Sequence, residues 1–318
     1  MESGKQFSSI LKKVIFWIIV LIIFFFLGKN LVQTWQEIPF DKLKFNLGFI
    51  LISFIPIFLN FLYGAYLWQK ILANLGEKIS FKYSLSTTGI SVLGKYLPGK
   101  VWFAAGRVYF IKKLGVKEEK GFLSIALETG LLLLSSLIIF IISPLIYNYA
   151  ILRNYIFLAI ILTILAIIAL HPFFAGKIIN IICRLLKRPF VDLRYRYFSM
   201  LALTLLFGIV WINYGIGFFF LINSFYPVSC SKFIDLTGVF SISWNLGFIA
   251  LFAPAGLGVR EGILTLLLSL YFPKPIAIII SLLSRLWITV AEILFAAISI
   301  KFLPWQISKS INLGNSQE

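Results

Sequence analysis

The sequence predicts an all-α polytopic membrane protein with about six full spans and two helix hairpins broken by Pro and Gly. Of its 318 residues, 60% are hydrophobic and only 13% are charged, and the mean hydropathy is +0.97. Soluble proteins are about half apolar and about a quarter charged, so this composition excludes a water-soluble enzyme. The net charge of +17 does not indicate a nucleic-acid partner, because a nucleic-acid-binding domain displays its basic residues on a polar surface.

Long apolar stretches predict the full spans, since a helix needs roughly 20 residues to cross the hydrocarbon core of a membrane. We interpret the first stretch as a retained helix and not as a signal peptide, because no small-residue cleavage site follows it. The six stretches are residues 14–27, 47–68, 122–147, 155–170, 198–222 and 275–302. Residues 1–318 are predicted to form one integral membrane domain, with its core at about 10–305 and a short tail at 303–318.

Two further apolar regions, residues 81–110 and 233–270, are interrupted in the middle. The interruptions contain Pro98 and Gly99 in the first region, and Pro254, Gly256 and Gly258 in the second. Each region is either a pair of short helices that dips into the membrane and returns, or a pair of full spans joined by a tight turn. In both cases the chain exits on the side where it entered.

The two broken regions have the same order of features. Each is followed by an arginine, Arg107 or Arg260, and then by a long apolar helix that carries charge. Three predicted spans separate them, so they enter the membrane from opposite sides. This arrangement is typical of an inverted-topology repeat.

The broken regions also predict the functional site. Backbone that leaves helical geometry inside a membrane is tolerated only where protein or a water-filled cavity covers it. A helix that starts at such a break directs its amides at the cavity, and a nearby arginine completes a site for an anion such as phosphate. The candidate substrate-binding and translocation residues are Lys95, Lys100, Arg107, Glu128, Arg260, Glu261, Arg285 and Glu292.

Charged side chains are costly in lipid, so we expect these residues to face the interior and form pairs. The spacing favours a pair of Glu292 with Arg285 on one helix face, and Glu128 pairs with either Arg107 or Arg285. The alternative is that these are buried ion pairs that only hold the bundle together. We assign the aromatic residues Tyr96, Tyr214 and Trp244 to the interfacial belt or to packing.

The distribution of basic residues predicts the orientation. Most of the 29 Lys and Arg fall on the side of the membrane that holds the N-terminus, so we expect both termini in the cytoplasm and an inner-membrane location. The basic connection at residues 177–196 has apolar residues at helical spacing. It predicts an amphipathic helix on the inner leaflet that is attracted to anionic headgroups, or alternatively a topology signal without a lipid role.

Two motifs resemble the transmembrane region of the lysylphosphatidylglycerol synthase family over roughly residues 10–305. They are G-K-Y-L-P-G-K-V-W at 94–102, followed by Gly106 and Arg107, and P-A-G-L-G-V-R-E-G at 254–262, where Ala255 replaces a glycine of the usual pattern. The resemblance implies a flippase-like domain. In large members this domain moves aminoacylated phosphatidylglycerol between leaflets, and a separate soluble domain attaches the amino acid. Residues 303–318 are too few for that domain, so we expect a stand-alone member without synthase activity.

These observations together predict a lipid flippase that moves an anionic phospholipid or a polyprenyl-phosphate-linked lipid across the cytoplasmic membrane. We expect no enzymatic activity, metal or cofactor. The expected partners are membrane lipids and, by resemblance, glycosyltransferases. Two alternatives stay open. One is an intramembrane transferase that uses Glu261 or Glu292 as base; the other is a non-transporting accessory protein in envelope glycan or glycolipid synthesis.

Overall fold

The computed structural model describes residues 43–96, 102–147, 150–185, 195–250, 253 and 256–302, together with the single residues 25, 29 and 32. Within these ranges the chain forms helices and no β-strand, which confirms the all-α class. The α-helices are α1 Leu47–Asn74, α2 Phe81–Ser91, α3 Trp102–Lys112, α4 Glu118–Tyr147, α5 Ala150–Ala169, α6 Pro172–Leu185, α7 Tyr197–Asn223, α8 Phe233–Ile249, α9 Val259–Leu268 and α10 Lys274–Ile300. Short 3₁₀ helices occupy Val92–Tyr96 and Cys230–Lys232.

Four described helices are long and apolar enough to cross a membrane: α1, α4, α7 and α10. They coincide with four of the six predicted spans. The predicted span at 155–170 forms α5, which qualifies only together with α6, as a pair bent by 86°. The predicted span at 14–27, apart from Phe25, and the tail at 303–318 lie outside the described residues, so the total number of spans stays a prediction.

The start of α1 and its two faces follow from its sequence. The side chain of Asn46 accepts a hydrogen bond of 3.2 Å from the amide of Phe49 and caps the first turn. One face is buried among other helices, whereas the opposite face exposes an apolar stripe at three- and four-residue intervals, formed by Leu51, Ile55, Leu59, Leu62 and Tyr66. Such a stripe is typical of a helix that contacts lipid on one side and protein on the other.

The first broken region forms a hairpin of α2 and α3, which pack against each other. Each helix has 11 residues and is about 16 Å long, whereas the hydrocarbon core is about 30 Å thick. In the second broken region, α8 packs against α9, which has only 10 residues. These lengths favour the dip-and-return interpretation of the first hairpin.

Glycine allows both breaks to approach their neighbours closely. A β-carbon at Gly94 would lie 2.7 Å from the backbone nitrogen of Phe103 at the start of α3. Gly256 has a φ of +69° and Gly258 a φ of +81°, and a β-carbon at Gly256 would lie 2.8 Å from the carbonyl oxygen of Gly247 in α8. The other predicted break residues, Pro98, Gly99 and Pro254, lie outside the described residues.

Helix α10 connects the two hairpins. It packs against α2 and the following 3₁₀ segment of the first hairpin, and against α9 of the second. Helix α4 packs against α7 and α8, and α7 packs against α1. A cavity lies where these helices and both hairpins converge.

Helix α6 has the amphipathic character that the sequence predicts for the basic connection. It exposes Phe173, Phe174, Ile178 and Ile181 on one face while Ala175 is buried. Its bend of 86° from α5 is the geometry of a helix that lies along a membrane surface when its neighbour crosses the membrane. Residues 186–194 of the same connection lie outside the described residues.

Candidate functional site

The convergence of the two hairpins encloses a cavity of about 230 Å³. Six of the eight predicted site residues line it, contributed by the two hairpins, α4 and α10: Lys95, Arg107, Glu128, Arg260, Arg285 and Glu292. Glu261 is buried beside the wall, where it contacts Arg285. Lys100 lies outside the described residues.

One ion pair joins the first hairpin to α10. The ammonium of Lys95, in the 3₁₀ segment that ends the first half of the hairpin, pairs with the carboxylate of Glu292. The hydroxyl of Tyr96 donates a hydrogen bond of 2.7 Å to the second oxygen of Glu292 and lies 3.1 Å from the hydroxyl of Thr289. The sequence favours a pair of Glu292 with Arg285 along α10, whereas the structure pairs Glu292 with Lys95 across two elements.

A second pair joins α3 to α4. The guanidinium of Arg107 pairs with the carboxylate of Glu128, and both side chains are buried. The same guanidinium lies over the rings of Trp68 and Phe103, at 4.8 and 4.9 Å from their centroids. Of the two partners that the sequence leaves open for Glu128, the structure therefore selects Arg107.

A third pair holds the start of α9 against α10. An oxygen of Glu261 lies 3.7 Å from a terminal nitrogen of Arg285. The other oxygen accepts a hydrogen bond of 2.6 Å from the backbone amide of Gly258. This bond satisfies one of the amides that have no partner within the helix at its N-terminus. The backbone carbonyl of Glu261 accepts a hydrogen bond of 2.8 Å from Ser281 of α10. Glu261 thus fixes the position of the second break.

Arg260 differs from the other described cations of the cavity in having no described carboxylate at ion-pair distance, whereas Lys95, Arg107 and Arg285 each have one. An unpartnered nitrogen alone does not distinguish it, because the buried Nε of Arg107 also has no hydrogen-bond partner among the described residues. Arg260 is 4% exposed, it lines the cavity, and its guanidinium lies 5.0 Å from the centroid of the Phe240 ring. Among the described residues, its Nε and Nη2 atoms have no hydrogen-bond partner. Two buried guanidinium nitrogens without hydrogen bonds are unfavourable by several kcal/mol in order of magnitude, so this position is suited to an anionic ligand.

Aromatic and small polar side chains complete the walls. Tyr214 and Trp244 line the cavity, and Trp244 stacks on Phe248 with 5.4 Å between ring centroids. The assignment of these residues and of Tyr96 to the belt or to packing is therefore incomplete, since Tyr96 binds Glu292 and the other two face the cavity. Sequence position alone carries no signal that separates a cavity-facing aromatic residue in an apolar helix from a packed one.

A comparison against known families identifies the family of the chain. Residues 9–296 match the family described as "Lysylphosphatidylglycerol synthase TM region", which covers most of the 318 residues. No curated protein matches the chain. The matched range contains both broken regions and every charged residue of the cavity. The chain therefore belongs to the lysylphosphatidylglycerol synthase transmembrane-region family, as a multi-pass membrane protein with a role related to membrane lipids.

Proposed function

We propose that this protein moves a lipid with a phosphate-containing headgroup between the two leaflets of its membrane, and that the headgroup passes through the cavity between the hairpins. The observation that carries this proposal concerns Arg260 in a strongly apolar chain. Its guanidinium is buried, and two of its nitrogens have no hydrogen-bond partner among the described residues. Arginine suits a phosphate because its planar fork donates two parallel hydrogen bonds to the phosphate oxygens.

The size of the cavity supports a headgroup as the bound part. Pockets for drug-sized ligands occupy roughly 300–1,000 Å³, so the volume of about 230 Å³ accommodates a headgroup while the acyl chains stay in the bilayer. A lipid bound in this way keeps its apolar part in lipid and exchanges only the hydration of its phosphate for contacts with protein.

The ion pairs supply elements that a passing phosphate can rearrange. Lys95 with Glu292, and Arg107 with Glu128, each join two different helical elements at the cavity wall. An incoming phosphate competes with these carboxylates for their cations. Movement of one broken-helix unit against the other is the way in which transporters with such units give alternating access to a central site.

Transport in proteoliposomes tests the proposal. Phosphatidylglycerol with a fluorescent acyl chain is placed in both leaflets, and the fraction that becomes accessible to a membrane-impermeant quencher is followed with time. We expect vesicles with wild-type protein to exchange the lipid faster than protein-free vesicles do. We expect the protein-dependent rate to be at least tenfold lower for Arg260→Gln than for the wild type. The control is Lys82→Gln, which also loses one positive charge, but at an exposed position outside the cavity. We expect this control to transport lipid at the wild-type rate.

Two results would overturn the proposal. If vesicles with wild-type protein exchange lipid no faster than protein-free vesicles, the proposed transport activity is wrong. If Arg260→Gln transports at the wild-type rate, the proposed role of Arg260 is wrong. Thermal unfolding of each purified variant in detergent separates loss of activity from loss of folding.

A further inference from the structure

We infer that the cavity selects lipids by headgroup charge, accepting a phosphodiester with one negative charge and excluding headgroups that also carry an ammonium. The inference rests on the proposed function and names the substrate class of the same site. It excludes aminoacylated and zwitterionic phospholipids as good substrates.

The first step is the pairing of charges around the cavity. Within the described residues, its wall and the adjoining Glu261 contain four cations and three carboxylates. Each carboxylate lies in an ion pair with a different cation: Glu292 with Lys95, Glu128 with Arg107, and Glu261 with Arg285. These three pairs balance in charge, and the positive charge of Arg260 remains.

The second step concerns the charge that this arrangement admits. Arg260 is 4% exposed, so its charge is poorly screened by water and its interaction with a bound anion is strong. One phosphodiester neutralises it. A second negative charge on the headgroup has to enter a buried site where the described cations are already paired, which is unfavourable.

The third step concerns ammonium groups. A buried ammonium needs an acceptor or a carboxylate. Both carboxylates that line the cavity are engaged, since Glu128 pairs with Arg107, and Glu292 pairs with Lys95 and accepts a hydrogen bond from Tyr96. The ring of Trp244, which could attract a cation by its face, stacks on Phe248 at an interplanar angle of 8°. The described wall therefore offers an ammonium no free anionic partner.

A panel of lipids with one fluorescent acyl chain and different headgroups tests the inference in the same vesicles. The panel comprises phosphatidylglycerol, phosphatidylethanolamine, lysylphosphatidylglycerol and phosphatidylglycerol phosphate, whose headgroups differ in net charge. We expect wild-type protein to move phosphatidylglycerol at least tenfold faster than either ammonium-bearing lipid and severalfold faster than the lipid with the additional phosphate.

A change in the pairing of charges should change the selectivity. In Glu128→Gln the amide can still accept a hydrogen bond from Arg107 but no longer neutralises it, so the cavity gains a second uncompensated guanidinium. We expect this variant to move phosphatidylglycerol phosphate faster relative to phosphatidylglycerol than the wild type does, by at least fivefold in the ratio of rates. The control Lys82→Gln should leave that ratio unchanged.

The outcomes distinguish this inference from the function on which it rests. If wild-type protein moves no lipid of the panel, the proposed function fails. If all four lipids move at similar rates, or if lysylphosphatidylglycerol is the fastest, charge selection is overturned and transport stands. An unchanged ratio of rates in a folded Glu128→Gln variant also overturns charge selection, and if that variant does not fold, the wild-type panel decides.

Discussion

Lys95 and Glu292, which are 197 residues apart in the chain, form an ion pair at the wall of the cavity. Lys95 ends the first half of one hairpin, and Glu292 lies in the third-to-last turn of the helix that follows the other hairpin. The pair therefore ties the first hairpin to the helix that follows the second hairpin. Tyr96 reinforces the tie through the second carboxylate oxygen.

Loss of either member of this pair should reduce stability, and loss of both should cost less than the sum. Lys95→Met leaves the buried carboxylate of Glu292 with Tyr96 but without its cation, which we expect to lower the free energy of unfolding by about 1–3 kcal/mol. The double variant Lys95→Met with Glu292→Gln removes the uncompensated charge. Chemical denaturation in detergent measures the free energy of unfolding of the two single variants and of the double variant. A loss in the double variant equal to the sum of the two single losses would contradict a direct coupling.

The buried pair of Arg107 and Glu128 should be the more sensitive of the two. Its side chains are about 9% and 8% exposed, whereas that of Lys95 is 28% exposed. We expect Arg107→Met to lower the free energy of unfolding by about 3–5 kcal/mol, because it leaves a carboxylate uncompensated among apolar groups. In the double variant Arg107→Met with Glu128→Gln, we expect more than half of that loss in the free energy of unfolding to be recovered. Chemical denaturation of the three variants that shows no recovery would argue against the pairing.

The second break should depend on glycine at position 256. Its φ of +69° is rarely adopted by other residues, and an added β-carbon would lie 2.8 Å from the carbonyl oxygen of Gly247. We expect Gly256→Ala to destabilise the protein by about 1–3 kcal/mol and to reduce transport. The matched control is Gly262→Ala in α9, where a β-carbon meets nothing within 4 Å and a gain of about 0.5–1 kcal/mol is expected. Equal thermal stability of the two variants would contradict the backbone requirement.

Helix α6 should lie along the membrane surface. Ile181 is 57% exposed on the apolar face, whereas Lys177 is exposed near the polar edge. Spin labels at Cys substituted for Ile181 or Lys177, in a background without the native cysteines, should differ in their collisions with oxygen and with a water-soluble nickel complex. We expect oxygen to dominate at 181 and the nickel complex at 177; identical environments would rule out an interfacial helix.

Much of the fold follows from local sequence. Apolar length predicts α1, α4, α7 and α10, and the Pro and Gly residues predict the breaks that shorten α2, α3 and α9. The bend after α5 fits the predicted order of a span followed by an amphipathic helix on the inner leaflet, and Pro172 begins α6. Proline is favoured at the first position of a helix and unfavourable inside one, so it separates α6 from α5.

The membership of the cavity was largely predictable, whereas its pairing was not. Charge in an apolar helix is costly, which singles out residues such as Arg107 and Glu128. Spacing along one helix reveals neighbours such as Arg285 and Glu292, but the contact of Glu292 with Lys95 depends on how α10 packs against the first hairpin. The distinct position of Arg260 follows from the same packing, since it depends on which cations the three carboxylates engage.

Binding of a short-chain phosphatidylglycerol to the purified protein tests the role of Arg260 most directly, because it requires no transport cycle. Titration calorimetry in detergent compares wild-type protein with Arg260→Gln and with the control Lys82→Gln. We expect the wild type and Lys82→Gln to bind equally and Arg260→Gln to bind at least tenfold more weakly while remaining folded. Wild-type affinity in Arg260→Gln would contradict the assignment of this guanidinium as the phosphate ligand.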